Sequence, residues 1–262
     1  MITLLKIGGS LITDKNQQAT FRQTVMAQVA AEISAALASQ PTLKLIIGHG
    51  SGSFGHFEAA RYNTMTGVQS ADEWVGFAKV ATIAAELNYL VAKELHKVTI
   101  PALRIQPSAS ILAEDGVIKQ MSLRSVERAL ENNLIPLIYG DVAFDTVRGG
   151  TIVSTETIFT YFASQLPINR IILLGEVDGV YDNRQNIIET ITPANFQDYQ
   201  SALGASGGVD VTGGMLSKVQ DMLKLASREP YPVIQIINGT RRGIIRDALT
   251  GVPVKGTTIK VN

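Results

Sequence analysis

The stretch "LKLIIGHGSGSFGHFEAA" at residues 43–60 sets a short apolar run against glycines at 50, 52 and 55. Read literally it is a G-x-G-x-x-G directly after a strand, the pattern of a dinucleotide-binding turn. That pattern also requires a helix leading into a second strand that ends in an acid to hold a ribose. Here a polar, turn-rich run at 61–69 follows, then a long helix, so the nicotinamide reading fails on context. What survives is simpler. Glycines at the start of a helix let backbone N–H groups face an anion, and the helix dipole favours negative charge there. The loop reads as a phosphate or carboxylate cradle, the alternative being a tight strand-to-helix turn without a ligand.

Around this loop the chain alternates strand-like and helix-like segments. "ITLLKI" (2–7), "LKLII" (43–47), "RIILLG" (170–175) and "PVIQIING" (232–239) are continuous apolar runs, the mark of strands buried on both faces. Helical periodicity marks 21–40 and 70–98, the second opened by Ser70 with Glu73 three residues on, a capping box. "GVIKQ" belongs to a small hairpin, and "GTTIKV" near the end reads as an edge strand. The expected fold is α/β, a three-layer αβα sandwich with a mainly parallel central sheet. Two lobes share it, with a boundary expected near 166–169, giving 1–167 and 168–262.

Composition narrows the chemistry. The 262 residues are 45% hydrophobic and carry 23 basic and 23 acidic side chains, so no global field attracts nucleic acid or an anionic membrane. An anion must be held by local groups. The absence of cysteine excludes thiolate metal sites and a cysteine nucleophile. No leader and no apolar run of the roughly 20 residues that span a bilayer is evident, so a cytoplasmic protein is expected.

Two further glycine clusters follow strands or open helices: "KIGGSLITDK" (6–15), with Lys6 and Lys15, and "DVTGGMLSKV" (210–219), with Lys218 one turn beyond Gly213 and Gly214. Each lysine alone reads as a surface residue. Three glycine loops with three lysines after strand ends point to phosphoryl transfer, which needs positioned donors and positive charge more than covalent chemistry. No G-x-x-x-x-G-K-[ST] is present, so this is not a P-loop protein.

Together "KIGGSLITDK", "HGSGSFGH", "GDVAFD", "VDGVYD" and "DVTGGMLSKV" resemble the amino acid kinase family, and most of all its isopentenyl phosphate kinase branch. The histidine of "GSFGH" marks that branch and the related fosfomycin kinases. The resemblance implies ATP with Mg²⁺, no protein-held metal, a phosphate acceptor bound by the first lobe and the nucleotide by the second, and a homodimer. It implies that Lys6, Gly8, Gly9 and Ser10 meet the terminal phosphates and that Lys15 stabilises the transferring group. Gly50, Ser51, Gly55 and His56 would hold the acceptor phosphate, while Gly214 and Lys218 approach the β- and γ-phosphates. Glu176, Asp178 and Tyr181 would flank the adenosine. Glu156 stands where the family usually has Asp to orient two lysines. Glu176 likewise replaces a common Asp, and Ser51 a usual Gly.

His56 has its own rationale, since an imidazole beside a phosphate dianion is drawn toward the cationic donor form. His49 reads as structural and His96 as solvated. An isoprenoid tail needs an apolar slot, for which the start of the long helix offers Trp74, Phe77, Ala78 and Ala81, with 61–69 as a covering segment. The function so implied is phosphorylation of isopentenyl phosphate to isopentenyl diphosphate. The alternatives are a kinase of another small phosphate or phosphonate such as fosfomycin, and a non-catalytic nucleotide sensor.

Overall fold

The computed structural model describes residues 1–204 and 214–261, with the side chains of His56 and Phe57 outside the described part. The chain begins with β1 (Ile2–Ile7), α1 (Gly9–Ile12), α2 (Gln23–Ser39), β2 (Lys44–His49), α3 (Gly52–Tyr62) and α4 (Ala71–Lys97). Next come β3 (Ala102–Arg104), β4 (Leu112–Glu114), β5 (Val117–Gln120), α5 (Arg124–Glu131), β6 (Ile135–Tyr139), β7 (Asp141–Asp145), β8 (Gly149–Val153) and α6 (Thr155–Gln165). The rest comprises β9 (Ile168–Gly175), β10 (Thr190–Ile191), α7 (Phe196–Gly204), α8 (Gly214–Ala226), β11 (Val233–Asn238), α9 (Ile244–Thr250) and β12 (Thr257–Ile259).

Eight strands form the main sheet in the order β10-β12-β11-β9-β1-β2-β6-β3, parallel except where β12 meets β11. A smaller sheet, β5-β4-β7-β8, sits beside it. Along β1 the pleat sends Leu4 to one face and Leu5 to the other, and Ile171 and Ile172 of β9 divide the same way. One face is covered by α5, α6, α7 and α8 and the other by α2, α4 and α9, which makes the expected three layers. Each such Leu or Ile contributes about 1.5–3 kcal/mol over its exposed state, so a charge at Leu5 would break the central strand.

α4 starts as its sequence dictates. The Ser70 side chain accepts from Glu73 N at 3.3 Å, and Glu73 Oε2 accepts from Ser70 N at 2.8 Å. Contrary to expectation, α4 is long and apolar enough by length and composition to cross a bilayer. Its Phe77, Val80, Leu87, Val91 and Leu95 are instead buried in the fold. A second correction concerns β12, which is no edge strand, because the two-residue β10 pairs along its outer side.

Strand order reverses at β1. The chain leaves β1 for β2 on one side and later returns to it as β9 on the other. Open α/β sheets bind ligands at the carboxyl ends of their strands at this kind of switch point. Ile7 is in register with His49 and Leu174, and Gly175 with Asn238, so the loops that follow four neighbouring strands emerge side by side.

Candidate active site

At this end of the sheet the first two glycine loops touch. Gly8 N–H donates to Leu174 O at 2.9 Å and Gly50 N–H to Ile7 O at 3.1 Å. A Cβ on Gly9 would lie 2.4 Å from Gly52 N, closer than any side chain can sit. Gly52 itself has φ +48, and a Cβ there would meet Thr13 Oγ1 at 2.1 Å. That hydroxyl stitches the loops together, donating to Gly9 O at 2.8 Å and accepting from Ser53 N at 3.0 Å. Ser51, in place of the usual Gly, has its hydroxyl where a Cβ on Gly55 would be, at 2.5 Å.

Lys6, near the end of β1, donates to Glu156 in the first turn of α6, a helix capped by Ser154 Oγ accepting from Thr157 N at 3.0 Å. Burial pushes the Glu156 carboxyl up. The Lys6 ammonium, its hydrogen bond and the charge of Lys218 outweigh that, and the group titrates below the ordinary glutamate range. Glu156 therefore feels both lysines it was expected to orient. Lys218 lies in the second turn of α8, which opens at Gly214 with φ +69. Residues 210–213 of the same motif, Gly213 included, lie outside the described residues.

Ser10, on α1, offers its carbonyl to Arg22 Nη1 at 3.2 Å. The same Nη1 lies 2.6 Å from Glu176 Oε1, and Lys15 Nζ stands 3.5 Å from Glu176 Oε2. Glu176 thus meets two cations, Lys15 of the first glycine cluster and Arg22 beyond it. Arg22 carries no motif and escapes sequence reading. Its partner lies 154 residues away.

Further out, Asp178 receives both Arg241 Nε, at 2.7 Å, and Arg241 Nη2, with Asn238 Nδ2 at 2.8 Å and Lys255 Nζ at 3.5 Å. The Arg241 and Asn238 hydrogen bonds hold its carboxyl far below the usual carboxylate range. Asp178 and Tyr181 line a cleft of about 670 Å³ with Asn186, Ile187, Lys255 and Gly256.

In the Gly50–Gly55 loop the Ser51 carbonyl accepts from Phe54 N at 3.1 Å and Gly55 N at 3.4 Å, starting α3. His56 belongs to α3, and its side chain lies outside the described residues. His49 is fully buried and hydrogen-bonded, in keeping with a structural role. His96 is not simply solvated, since its Nε2 lies 2.8 Å from Ala102 O. Of the proposed tail residues, Trp74, Phe77 and Ala81 gather with Ala59, Val68, Val80, Val142 and Ile152, whereas Ala78 turns outward and is exposed. Val68, in the 61–69 segment expected to cover the slot, is buried and donates its N–H to Arg148 O at 2.8 Å, which anchors that end of the run. The acids of "GDVAFD" serve the framework. Asp145 accepts backbone N–H groups from Asp115, Gly116, Val147 and Arg148, tying two turns of the small sheet.

Residues 1–238 match the sequence profile of the amino acid kinase family. The chain is 32% identical to the isopentenyl phosphate kinase of Methanocaldococcus jannaschii, over 99% of this chain and 98% of that one. It is 33% identical to the isopentenyl phosphate kinase of Methanothermobacter thermautotrophicus, over 98% of each. Among solved structures, an X-ray structure of isopentenyl phosphate kinase superposes with a TM-score of 0.82 at 30% identity, covering 99% of this chain and 100% of the other. With its profile matched from β1 through β11, and with relatives this similar end to end, the chain belongs to the amino acid kinase family.

Proposed function

We propose that this protein transfers the γ-phosphoryl group of ATP to isopentenyl phosphate, giving isopentenyl diphosphate and ADP. The observation that carries the reading is the Lys6–Glu156 pair, felt also by Lys218, set at the switch point beside the Gly50–Gly55 loop. A phosphate oxygen of the acceptor attacks the γ-phosphorus in line. The new P–O bond forms as the bond to the bridging oxygen breaks, and its electrons leave on the β-phosphate of ADP. The acceptor monoester is already anionic, so no base is needed to uncover the nucleophile.

Lys6, Gly8, Gly9 and Ser10 meet the terminal phosphates, Gly214 and Lys218 draw the β- and γ-phosphates, and Lys15 offsets charge on the transferring group. Gly50, Ser51, Gly55 and His56 hold the acceptor phosphate. Glu176, Asp178 and Tyr181 border the nucleotide, Glu176 by holding Lys15 and Arg22. Mg²⁺ would enter on the nucleotide's own phosphates and shield their charge, in keeping with the donor set, because among the described residues no three His, Asp or Glu side chains converge. Residues 1–167 would serve the acceptor and 168–262 the nucleotide, with β1 between them. The enzyme is proposed to act in the cytoplasm as a homodimer.

The tail is accommodated by the cluster around Trp74 and Phe77, whose rings meet edge-on at 5.2 Å. Ala59 joins that cluster on the helix that the acceptor loop begins, on the order of 10 Å along its axis from Gly52. An apolar tail could thus follow a phosphate held at the loop.

ADP release with isopentenyl phosphate, dimethylallyl phosphate and fosfomycin as acceptors tests the reading. Turnover is expected with the isoprenoid phosphates and greatest with isopentenyl phosphate. Turnover of fosfomycin alone would overturn the substrate. Calorimetric nucleotide binding without turnover of any acceptor would leave a sensor.

A further inference from the structure

Beneath the acceptor loop runs a chain of polar contacts that phosphoryl transfer itself does not use. The His49 ring stacks on Tyr139 of β6, with 5.9 Å between centroids and 11° between planes. Its Nδ1 lies 3.0 Å from Gly50 O and its Nε2 3.0 Å from Nδ2 of Asn88, a buried residue of α4. Asn88 Oδ1 accepts from Arg104 Nε at 2.8 Å, and Arg104 is braced by Nη2 donating to Ala85 O at 3.3 Å.

These contacts fix a proton. A guanidinium only donates, so the Asn88 atom facing Arg104 must be oxygen. The amide nitrogen then faces His49 and donates, which leaves Nε2 as the acceptor. The ring proton must sit on Nδ1, from which it is donated to Gly50 O. Burial, the main influence on this ring, holds it to about 4 rather than 6.5, so the neutral form required by this chain is the one present at neutral pH. A solvent-facing arginine on β3 thereby sets the tautomer of a buried imidazole.

The peptide that follows is planar and trans, so its N–H points opposite to its carbonyl. With Gly50 O drawn inward onto His49, the Ser51 N–H is aimed the other way. Among the described residues that N–H has no hydrogen-bond acceptor.

We infer that His49 is a positioning residue for the phosphate acceptor: held in its Nδ1–H form by Asn88 and Arg104, it locks the Gly50–Ser51 peptide so that the Ser51 N–H faces the acceptor phosphate. The inference rests on the acceptor role given to this loop above.

Two side-chain replacements separate positioning from packing. In His49→Asn the amide nitrogen takes the place of Nδ1 and can still donate to Gly50 O. His49→Gln places its amide near Asn88 but gives up the Gly50 contact. The KM for isopentenyl phosphate is expected to rise about tenfold in His49→Gln, with KM for ATP unchanged, and to return most of the way in His49→Asn. Equal effects in both variants, or parallel shifts in both KM values with the melting temperature, would overturn the inference.

Because either variant could disturb the core, a second measurement uses Arg104, whose side chain lies at the surface. Long-range ¹⁵N–¹H NMR of the imidazole should show Nδ1 protonated and Nε2 bare in the unmodified protein, with Nε2–H signal appearing in Arg104→Ala. Protonated Nε2 in the unmodified protein would overturn the inference. The NMR experiment needs no substrate. If it succeeds while isopentenyl phosphate is not turned over, the substrate assignment alone falls.

Discussion

Lys6 and Glu156 stand 150 residues apart in sequence and meet as an ion pair at the point where the sheet changes direction. A half-buried carboxylate kept ionised by two lysines has little reason to persist for stability, since apolar substitutes often serve as well. Under the proposed function its place is to hold cations toward phosphates.

Replacing Glu156 with Gln keeps the shape and removes the charge. Steady-state kinetics should show kcat lower on the order of 10²-fold, the scale for losing one fixed electrostatic contact to a transition state. Glu156→Asp keeps the charge, one methylene shorter, and should retain more activity than the Gln variant. An unchanged kcat in Glu156→Gln would remove the pair from the mechanism.

Lys15 and Arg22 share Glu176 but differ in setting. Lys15 is 67% exposed and its contact at 3.5 Å is loose, so Lys15→Met should leave the melting temperature in place while lowering kcat on the order of 10²-fold. Arg22 joins the Ser10 carbonyl to Glu176 and so couples α1 to the end of β9. Arg22→Met should lower the melting temperature as well as the rate. Paired thermal scans and rate measurements separate the two.

His49 predicts a pH dependence of stability. Its folded pKa, about 4, lies below its ordinary 6.5, so between those values the unfolded chain binds the proton and the folded one does not. Stability is therefore complete above about pH 6.5 and is lost as pH falls toward 4, on the order of 3 kcal/mol in all. Urea unfolding from pH 7 to 4.5 should show this slope in the parent and a shallower one in His49→Asn. Parallel profiles would contradict it.

The contact between glycine loops makes a steric prediction. Gly9→Ala would put a methyl group 2.4 Å from Gly52 N and 3.1 Å from Gly50 C, and the loops must part. A cost of about 1–3 kcal/mol is expected, as for other overpacked sites, with KM raised for both substrates. Gly175→Ala is the contrast, since its nearest atom would be 3.9 Å away and its unfolding midpoint should barely move.

Much of this arrangement was readable from the residues because the strands that build it are buried on both faces. Runs such as "RIILLG" announce themselves without alternation. The glycine loops were legible for a related reason, as backbone that approaches backbone this closely excludes a Cβ. The short elements were not. Two residues at Thr190–Ile191 and one turn at Gly9–Ile12 carry no periodicity, and missing the first turned β12 into an edge. Side chains whose meaning lies in a distant partner were equally hidden. Nothing near Arg22 points to Glu176, and nothing near Asn88 points to a histidine 39 residues earlier. Ala78 was misjudged because nearness in sequence to Trp74 and Phe77 does not fix which side of a helix a residue occupies.

The place of β1 has a bearing on how the molecule is made. Ile2 aligns with Lys44 on one side and with Ile168 on the other, so the central strand emerges from the ribosome long before its second neighbour has been translated. Until then a nascent chain carries an apolar strand with one side unpaired, the condition that invites self-association and chaperone capture. Synthesis halted before residue 168 should yield a sticky intermediate rather than a working half, for all that the Gly50–Gly55 loop is already present in it.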